Sequence, residues 1–313
     1  MLAQAGRIAL RLLVTGIGIV TVAFFMMRAI PGDPASYMLG DYATAESVAA
    51  LRAKLGLDEP IWRQYLMFVL NAARGSLGSS VVTGQPALQE VLSSLPSSAV
   101  LALAGLVVAI ATGVPLGIVS AIRQGGWVDV AVMMGALAGI SFPVFWMGLA
   151  AILVFSYWLP IFPALGSSSS KDLLVQAHHL ALPALVLGFS IAAYIARLTR
   201  SAMLEVLSQD YIRVARAMGV AEHRIIFRLA LRNAMVPILA VIGVTFAWSF
   251  GNAILVEAVF SRPGLGSMLL KAILARDYQL VQTGVLVLAS LVVLINAALD
   301  LSYTVIDPRL RTS

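Results

Sequence analysis

The 313-residue sequence predicts an all-α, polytopic membrane protein with six transmembrane helices. Mean hydropathy is +0.93, 60% of residues are apolar and 12% are charged, values far outside the soluble globular range. Five apolar runs are each long enough to cross a hydrocarbon core of about 30 Å, and a shorter one stands at the N-terminus. The cations collect at the ends of these runs and in one polar insert, as membrane topology requires. The net charge of +6 therefore marks the lipid bilayer and no nucleic-acid partner, since no soluble segment carries a binding face. The absence of cysteine excludes disulfides, thiolate metal sites and a nucleophilic thiol.

The first run, Leu12 to Met27, is short at about 16 residues. Arginines at both ends can snorkel and extend it to Ile8–Ile30. Arg28 and Pro31-Gly32-Asp33-Pro34 follow it where a cleavage site would stand, so it reads as a retained transmembrane helix. Leu95–Ile122 is the second span. The third, Val130–Trp158, is broken at Ser141-Phe142-Pro143, where a proline frees backbone groups. This makes Ser141, Phe142, Pro143 and Trp146 candidate path residues, and helix packing accounts for them equally well. The fourth span, His179–Ile195, ends at Arg197 and Arg200; Met235–Val256 and Thr283–Ile306 are the fifth and sixth.

Between the first two spans, Thr44 is expected to cap a helix that Gly56 ends. Asp58 is expected to cap a second, with Trp62, Tyr65, Phe68 and Val69 on its apolar face. Such helices lie on the membrane surface or cover a pore mouth. Gly75 and Gly78 provide a turn into the second span. Gly113/Gly117 and Gly135/Gly139 stand at the spacing that permits close helix contact.

Charge sets the orientation. The segment Asp33–Glu90 has four basic and six acidic residues, whereas Arg197–Arg232 has seven basic and three acidic. The positive-inside rule then puts both termini, the Arg123 turn and the basic insert in the cytoplasm. The Asp33–Glu90, Pro160–Lys171 and Ser261–Gln282 segments lie outside.

Several chemistries are missing. No lysine follows a glycine, so there is no phosphate-cradling Gly-Lys loop for ATP. Ionisable groups deep in the spans, which a self-sufficient secondary transporter needs, are scarce; Glu257 and Asp300 stand near helix ends, and Glu257 is a further candidate path residue. His178 and His179 are adjacent and point to different helix faces, a poor chelating pair. No catalytic constellation, metal site or bound cofactor is expected, and any driving force comes from another subunit.

The insert supplies a reason for such a partner. Arg213 and Arg216 share a helix that Gly219 ends, and Arg224, Arg228 and Arg232 follow by fours on a second helix beside an Ile225/Leu229 face. Small residues Ala215 and Ala217 leave the tip compact. Asp210, Tyr211 and Glu222 complete the candidate contact set. Physics alone leaves two readings open: a projection that docks in a cytoplasmic groove, and a basic loop tethered to lipid headgroups.

DYIRVARAMG, Asp210 to Gly219, resembles the EAA loop of permease subunits of binding-protein-dependent ABC importers, in the dipeptide/oligopeptide/nickel branch. Against the general pattern Arg213, Val214 and Ala215 occupy the Glu-Ala-Ala positions, so only the last alanine and the glycine agree; the branch wording DYIRTARAKG is nearer. Pro31-Gly32-Asp33-Pro34, the LRAKLGLDEPIWRQY stretch from Leu51 to Tyr65, and Gly75-Ser76-Leu77-Gly78 extend the resemblance. Glu257-x-x-Phe260-x-x-Pro263-Gly264-Leu265-Gly266, Ala275-Arg276-Asp277-Tyr278 and Asp307-Pro308-Arg309 carry it nearly to the end.

The resemblance implies a type I importer permease core over residues 95–313, with a cytoplasmic coupling loop at 197–235. A first helix (1–34) and an external amphipathic segment (35–94) precede the core. It implies a homologous second permease subunit, two ATP-binding subunits holding ATP and Mg, and an extracytoplasmic substrate-binding protein. The implied cargo is a dipeptide or oligopeptide, with nickel chelates or glutathione-like peptides as the alternative.

Overall fold

A computed structural model describes residues 2–28, 33–40 and 43–306. Pro31-Gly32, Asp307-Pro308-Arg309 and Arg311 lie outside them, as do the side chains of Arg7, Arg11 and Asp300. Helices α1 to α13 carry the fold; the described residues contain no named strand, and Ser79 and Pro86 form an isolated bridge. The residues up to Pro96 form one compact unit with Gly264–Ser302, and Ser97–Pro263 forms the body of the other.

In the first unit α1 (Leu2–Arg28), α2 (Pro34–Leu39), α3 (Ala45–Leu55) and α4 (Ile61–Ala73) precede the long helix α5 (Ala87–Ile122). Thr44 caps α3 through Ser47, and Gly56 ends it in the left-handed region at φ 66°, both as expected. The second cap differs: Pro60 stands at the α4 N-cap, and Asp58 instead pairs with Arg52 at 2.9 Å. Pro60 makes no side-chain cap, and Asp58 lies two residues before the N-cap position. Tyr65 and Phe68 pack on Phe24 of α1, and the Tyr65 hydroxyl meets Thr21 Oγ1 at 2.8 Å. Trp62 is 66% exposed, so it lies off that packing face.

Gly75 and Gly78 turn the chain at φ 71° and 83°. Gly78 is required for its φ; a Cβ there would meet only the flexible end of Gln279, at 3.0 Å from Oε1. Buried Asp277 accepts hydrogen bonds from Ser80 Oγ (2.5 Å), Val81 N (3.1 Å) and Leu280 N (3.1 Å), locking this turn to the start of α13 (Tyr278–Ile306). The segment expected as a loop at Ser261–Gln282 contains a further helix, α12 (Leu265–Leu274).

The second unit holds the rest of α5 with α6 (Trp127–Ser141), α7 (Val144–Ile152, continued as a π turn to Trp158), α8 (Leu173–Leu207), α9 (Asp210–Ala217), α10 (Glu222–Arg224) and α11 (Leu231–Val259). A π turn over Ile225–Ala230 joins α10 to α11 in one rod, Glu222–Val259. Helix α8 is the axis of this unit, with 14 buried residues. Glycine lets α5 approach it: a Cβ on Gly117 would lie 2.6 Å from Ala196 O, and one on Gly113 2.9 Å from Ala192 O. Gly139 is likewise tight against Ala193 (3.0 Å), whereas Gly135 has open space. The loop after α7 is pinned by His178 Nε2 on Ile161 O (2.9 Å) and His179 Nδ1 on Leu165 O (2.7 Å), a packing duty for both histidines.

Among the described residues four helices are long and apolar enough to cross a membrane, and five if α6 and α7 count as one span. The expected six spans are therefore not all reproduced. The third run bends by 104° at its break, and among the residues whose side chains are described α1 contributes the shorter apolar stretch Val14–Met26.

Candidate functional site

Helix α8 runs unbroken to Leu207, so Arg197 and Arg200 lie within that helix, beyond the apolar run that ends at Ile195. The residues beyond Ile195 are largely good helix formers, and polarity alone does not stop a helix. The insert outside the long rods shrinks to a short tip around α9. Helix α9 closes with a pair of hydrogen bonds, Gly219 N to Arg216 O (3.0 Å) and Val220 N to Ala215 O (3.1 Å), with Gly219 at φ 79°. That arrangement is the glycine-dependent helix stop expected from sequence. The second helix of the insert is continuous with the fifth span, and its π turn shifts the register, so Arg224, Arg228 and Arg232 do not keep one line. All three are exposed.

Ile212, Ala215 and Ile225 form a small buried core with Leu207, Val220 and Leu229 packed against it. This core aims the polar residues outward. Arg216 holds Glu222 through Nη2 (2.8 Å) and Nε (3.3 Å), a hydrogen bond that raises the guanidinium above its ordinary pKa. Arg213 meets Asp210 at 3.2 Å, and Asn233 donates to the Tyr211 hydroxyl at 2.9 Å. Ala217 is exposed, and a Cβ on Gly219 would meet nothing within 4 Å. A cleft of about 280 Å³ lies behind the tip, between Ala121–Ile122, Leu204, Leu207 and the Arg216–Glu222 pair.

The second candidate region is the break in the third span. Pro143 has no N–H, and the chain between α6 and α7 is extended at Phe142 (ψ 132°) and Pro143 (ψ 137°). Beside it a cavity of about 180 Å³ is lined by Gly139, Ile140, Phe142 and Val144 from the break, Ser190 and Tyr194 from α8, and Thr245, Trp248 and Asn252 from α11. Of the sequence candidates, Phe142 lines this cavity, and Trp146 stacks on its ring at 4.7 Å. Ser141 and Pro143 are the exposed flanks of the break. Glu257 is elsewhere: it is fully buried near the end of α11, where its carbonyl accepts from Arg262 N at 2.9 Å. Burial lowers the Arg262 pKa, and the charge of Glu257 opposes that shift.

A third feature escaped the sequence reading. Asp129, in the first turn of α6, is 4% exposed and takes two hydrogen bonds from Arg200 of α8, at 2.6 and 2.7 Å. Ser120 of α5 donates to one of its oxygens and Gly125 N to the other at 3.0 Å. Three elements thus converge on one carboxylate. The signal available in sequence was a lone acid at the start of an apolar run, with an arginine two turns before the end of a later helix. Among the described residues no cluster of His, Asp or Glu has metal-ligand geometry.

Four apolar rods long enough to cross a bilayer, with a bent apolar helix pair beside them, mark a membrane-embedded protein. Residues 113–312 match the family described as binding-protein-dependent transport system inner membrane component, and residues 1–102 match its companion, binding-protein-dependent transport system membrane component, N-terminal. The chain belongs to this family, and it is a multi-pass inner-membrane protein. It is 39% identical to the dipeptide transport system permease protein DppB of Alkalihalophilus pseudofirmus, over 99% of this chain and 100% of that one. It is 40% identical to the di/tripeptide transport system permease protein DppB of Pseudomonas aeruginosa, over 96% of each. Against the dipeptide transport system permease protein DppB of Escherichia coli K12 the identity is 38%, over 95% of each.

Proposed function

We propose that this chain is a transmembrane permease subunit of an ATP-driven ABC importer for dipeptides and oligopeptides. The full-length similarity to permeases named for dipeptide and di/tripeptide transport supports the cargo class. In this reading α1 and the bent α6–α7 pair complete six crossings, and both termini lie in the cytoplasm. The core of residues 95–313 pairs with a homologous permease, and two ATP-binding subunits below it hold the ATP and Mg. A soluble binding protein delivers peptide from outside.

The observation that carries the proposal is the tip: a helix closed by Gly219 over a three-residue core, with its charges turned outward on the end of two long rods. Asp210, Tyr211, Arg213, Arg216, Ala217, Gly219, Glu222, Arg224 and Arg228 form the contact face for the ATPase, and Ala215 supports it from the buried core beneath. Motion of the ATPase dimer enters through α9 and travels along α8 and the Glu222–Val259 rod to the broken span, where Ser141, Phe142, Pro143 and Trp146 border the peptide path.

Gly219→Asp tests it. Within this chain the added side chain has room, and the left-handed backbone costs about 1–2 kcal/mol. The variant is expected to insert and assemble in the membrane yet lose ATP-coupled peptide uptake in vesicles containing all subunits. Wild-type uptake from a correctly inserted variant would sink the docking role.

A further inference from the structure

We propose that Tyr194, Trp248 and Asn252, with Ser190 and Thr245, form an uncharged subsite that binds the main chain of the passing peptide at the break in the third span. The inference rests on the peptide reading above and goes further by assigning contacts and a recognition mode.

The argument starts from hydrogen bonds that are absent. Among the described residues, the Asn252 amide, the Tyr194 hydroxyl and the Trp248 indole N–H make no hydrogen bond, and all three line one cavity. Ser190 and Thr245 have committed their hydrogens to the carbonyls of Leu187 (2.8 Å) and of Val241 (2.9 Å) and Ile242 (3.0 Å). Each keeps lone pairs as an acceptor. Trp248 is 58% exposed and none of the three groups is sealed from the surface, so the cavity is an open cleft in which water or a polar solute can meet them.

The break adds backbone. The α6 ladder closes with Phe142 N on Ala138 O, and α7 restarts with Met147 N on Pro143 O. The carbonyls of Gly139 and Ile140 and the N–H of Val144 therefore have no ladder partner across the break. The cavity offers both donors and acceptors, as a peptide main chain requires, and no charged side chain lines it.

That neutrality selects a class of ligand. A fixed charge would trap peptides bearing the opposite side-chain charge and repel the others, whereas a conducting site must bind weakly enough to release. Neutral dipoles treat side chains alike and read the feature all peptides share. The stacked Phe142–Trp146 pair, and Trp248 edge-on to Tyr194 at 6.2 Å, supply flat walls along which an apolar side chain slides.

The test uses the assembled complex in vesicles with three probes: alanyl-alanine, alanyl-lysine and alanyl-glutamate. Asn252→Asp puts a charge into the subsite. The expected result is uptake of alanyl-glutamate lowered roughly tenfold relative to alanyl-lysine, compared with the same ratio in wild type, a differential of about 1.4 kcal/mol. Unaltered ratios overturn the subsite. Failure of the wild-type complex to import any of the three overturns the peptide reading itself. A second arm guards against a folding defect. The chain has no cysteine, so Asn252→Cys gives it a single thiol for a charged methanethiosulfonate reagent. Labelling is expected, and it should slow when the complex turns over in alanyl-alanine. A thiol that is unreactive, or reactive at a rate alanyl-alanine does not change, counts against the subsite.

Discussion

Arg200 and Arg216 come from the same basic stretch of sequence, and each grips a carboxylate through two hydrogen bonds, yet burial separates them. The Asp129 side chain is 6% exposed and that of Arg200 26%; the Arg216 and Glu222 side chains are 45% and 55% exposed. Exposed pairs of the second kind contribute about 0–1 kcal/mol, because water solvates both charges whether they meet or not. A buried pair is different in kind. Its net contribution relative to an apolar replacement is small, but removing one partner strands the other and costs about 3–5 kcal/mol. The first pair is costly to break halfway, whereas the second can be broken at little cost to the fold.

The largest effect is therefore expected from Asp129→Ala. It strands the Arg200 guanidinium and removes the acceptor for Ser120 and Gly125 N together. A loss of roughly 3 kcal/mol, near the low end because Arg200 retains some solvent, should appear as a lowered unfolding midpoint of the purified chain in detergent. Asp129→Asn keeps the shape and one acceptor oxygen and should fall between. Equal midpoints for wild type and Asp129→Ala would place this pair in the same class as Arg216–Glu222 and end the comparison.

Next comes Gly117→Leu. Gly117 faces Ala196 O and Thr199, one residue from Arg200, so a side chain there pushes α5 from α8 exactly where the clamp closes. Overpacking of this kind costs about 1–3 kcal/mol. Gly135→Leu, with nothing within 4 Å, is the control and should leave the unfolding midpoint unchanged. A matching loss in both variants would mean that the close α5–α8 approach does not support the clamp.

These cases also mark what sequence discloses. The Thr44 cap, the Gly56 and Gly219 helix stops and the apolar spans were legible because each depends on neighbours within a turn or two. The break at Phe142-Pro143 was legible as a break, but no local pattern in the sequence states its 104° angle. The Asp129–Arg200 pair was hidden because its members are 71 residues apart and each, alone, looks like an ordinary helix-end charge. The cavity was hidden for a related reason. Tyr194, Trp248 and Asn252 are scattered polar tips on apolar helices, and only the fold shows that they share one space.

The smallest effect on stability and the sharpest on function is expected from Arg216→Glu. The change breaks one solvated pair and sets a second carboxylate beside Glu222, both of which water screens well, so the unfolding midpoint should move by no more than about 1 kcal/mol in equivalent stability. Glu222→Gln breaks the same pair without reversing the sign at position 216 and should also leave stability alone. The two variants diverge only where a partner reads the tip. If the ATPase groove is complementary to an outward cation, Arg216→Glu should reduce co-purification of the ATP-binding subunit severalfold, because like-charge contacts across an interface are strongly disfavoured, while Glu222→Gln retains it. Unchanged co-purification by both would return the tip to the status of a basic loop held at lipid headgroups, and it would leave the buried clamp as the one Arg–carboxylate pair of the two with a demonstrable duty.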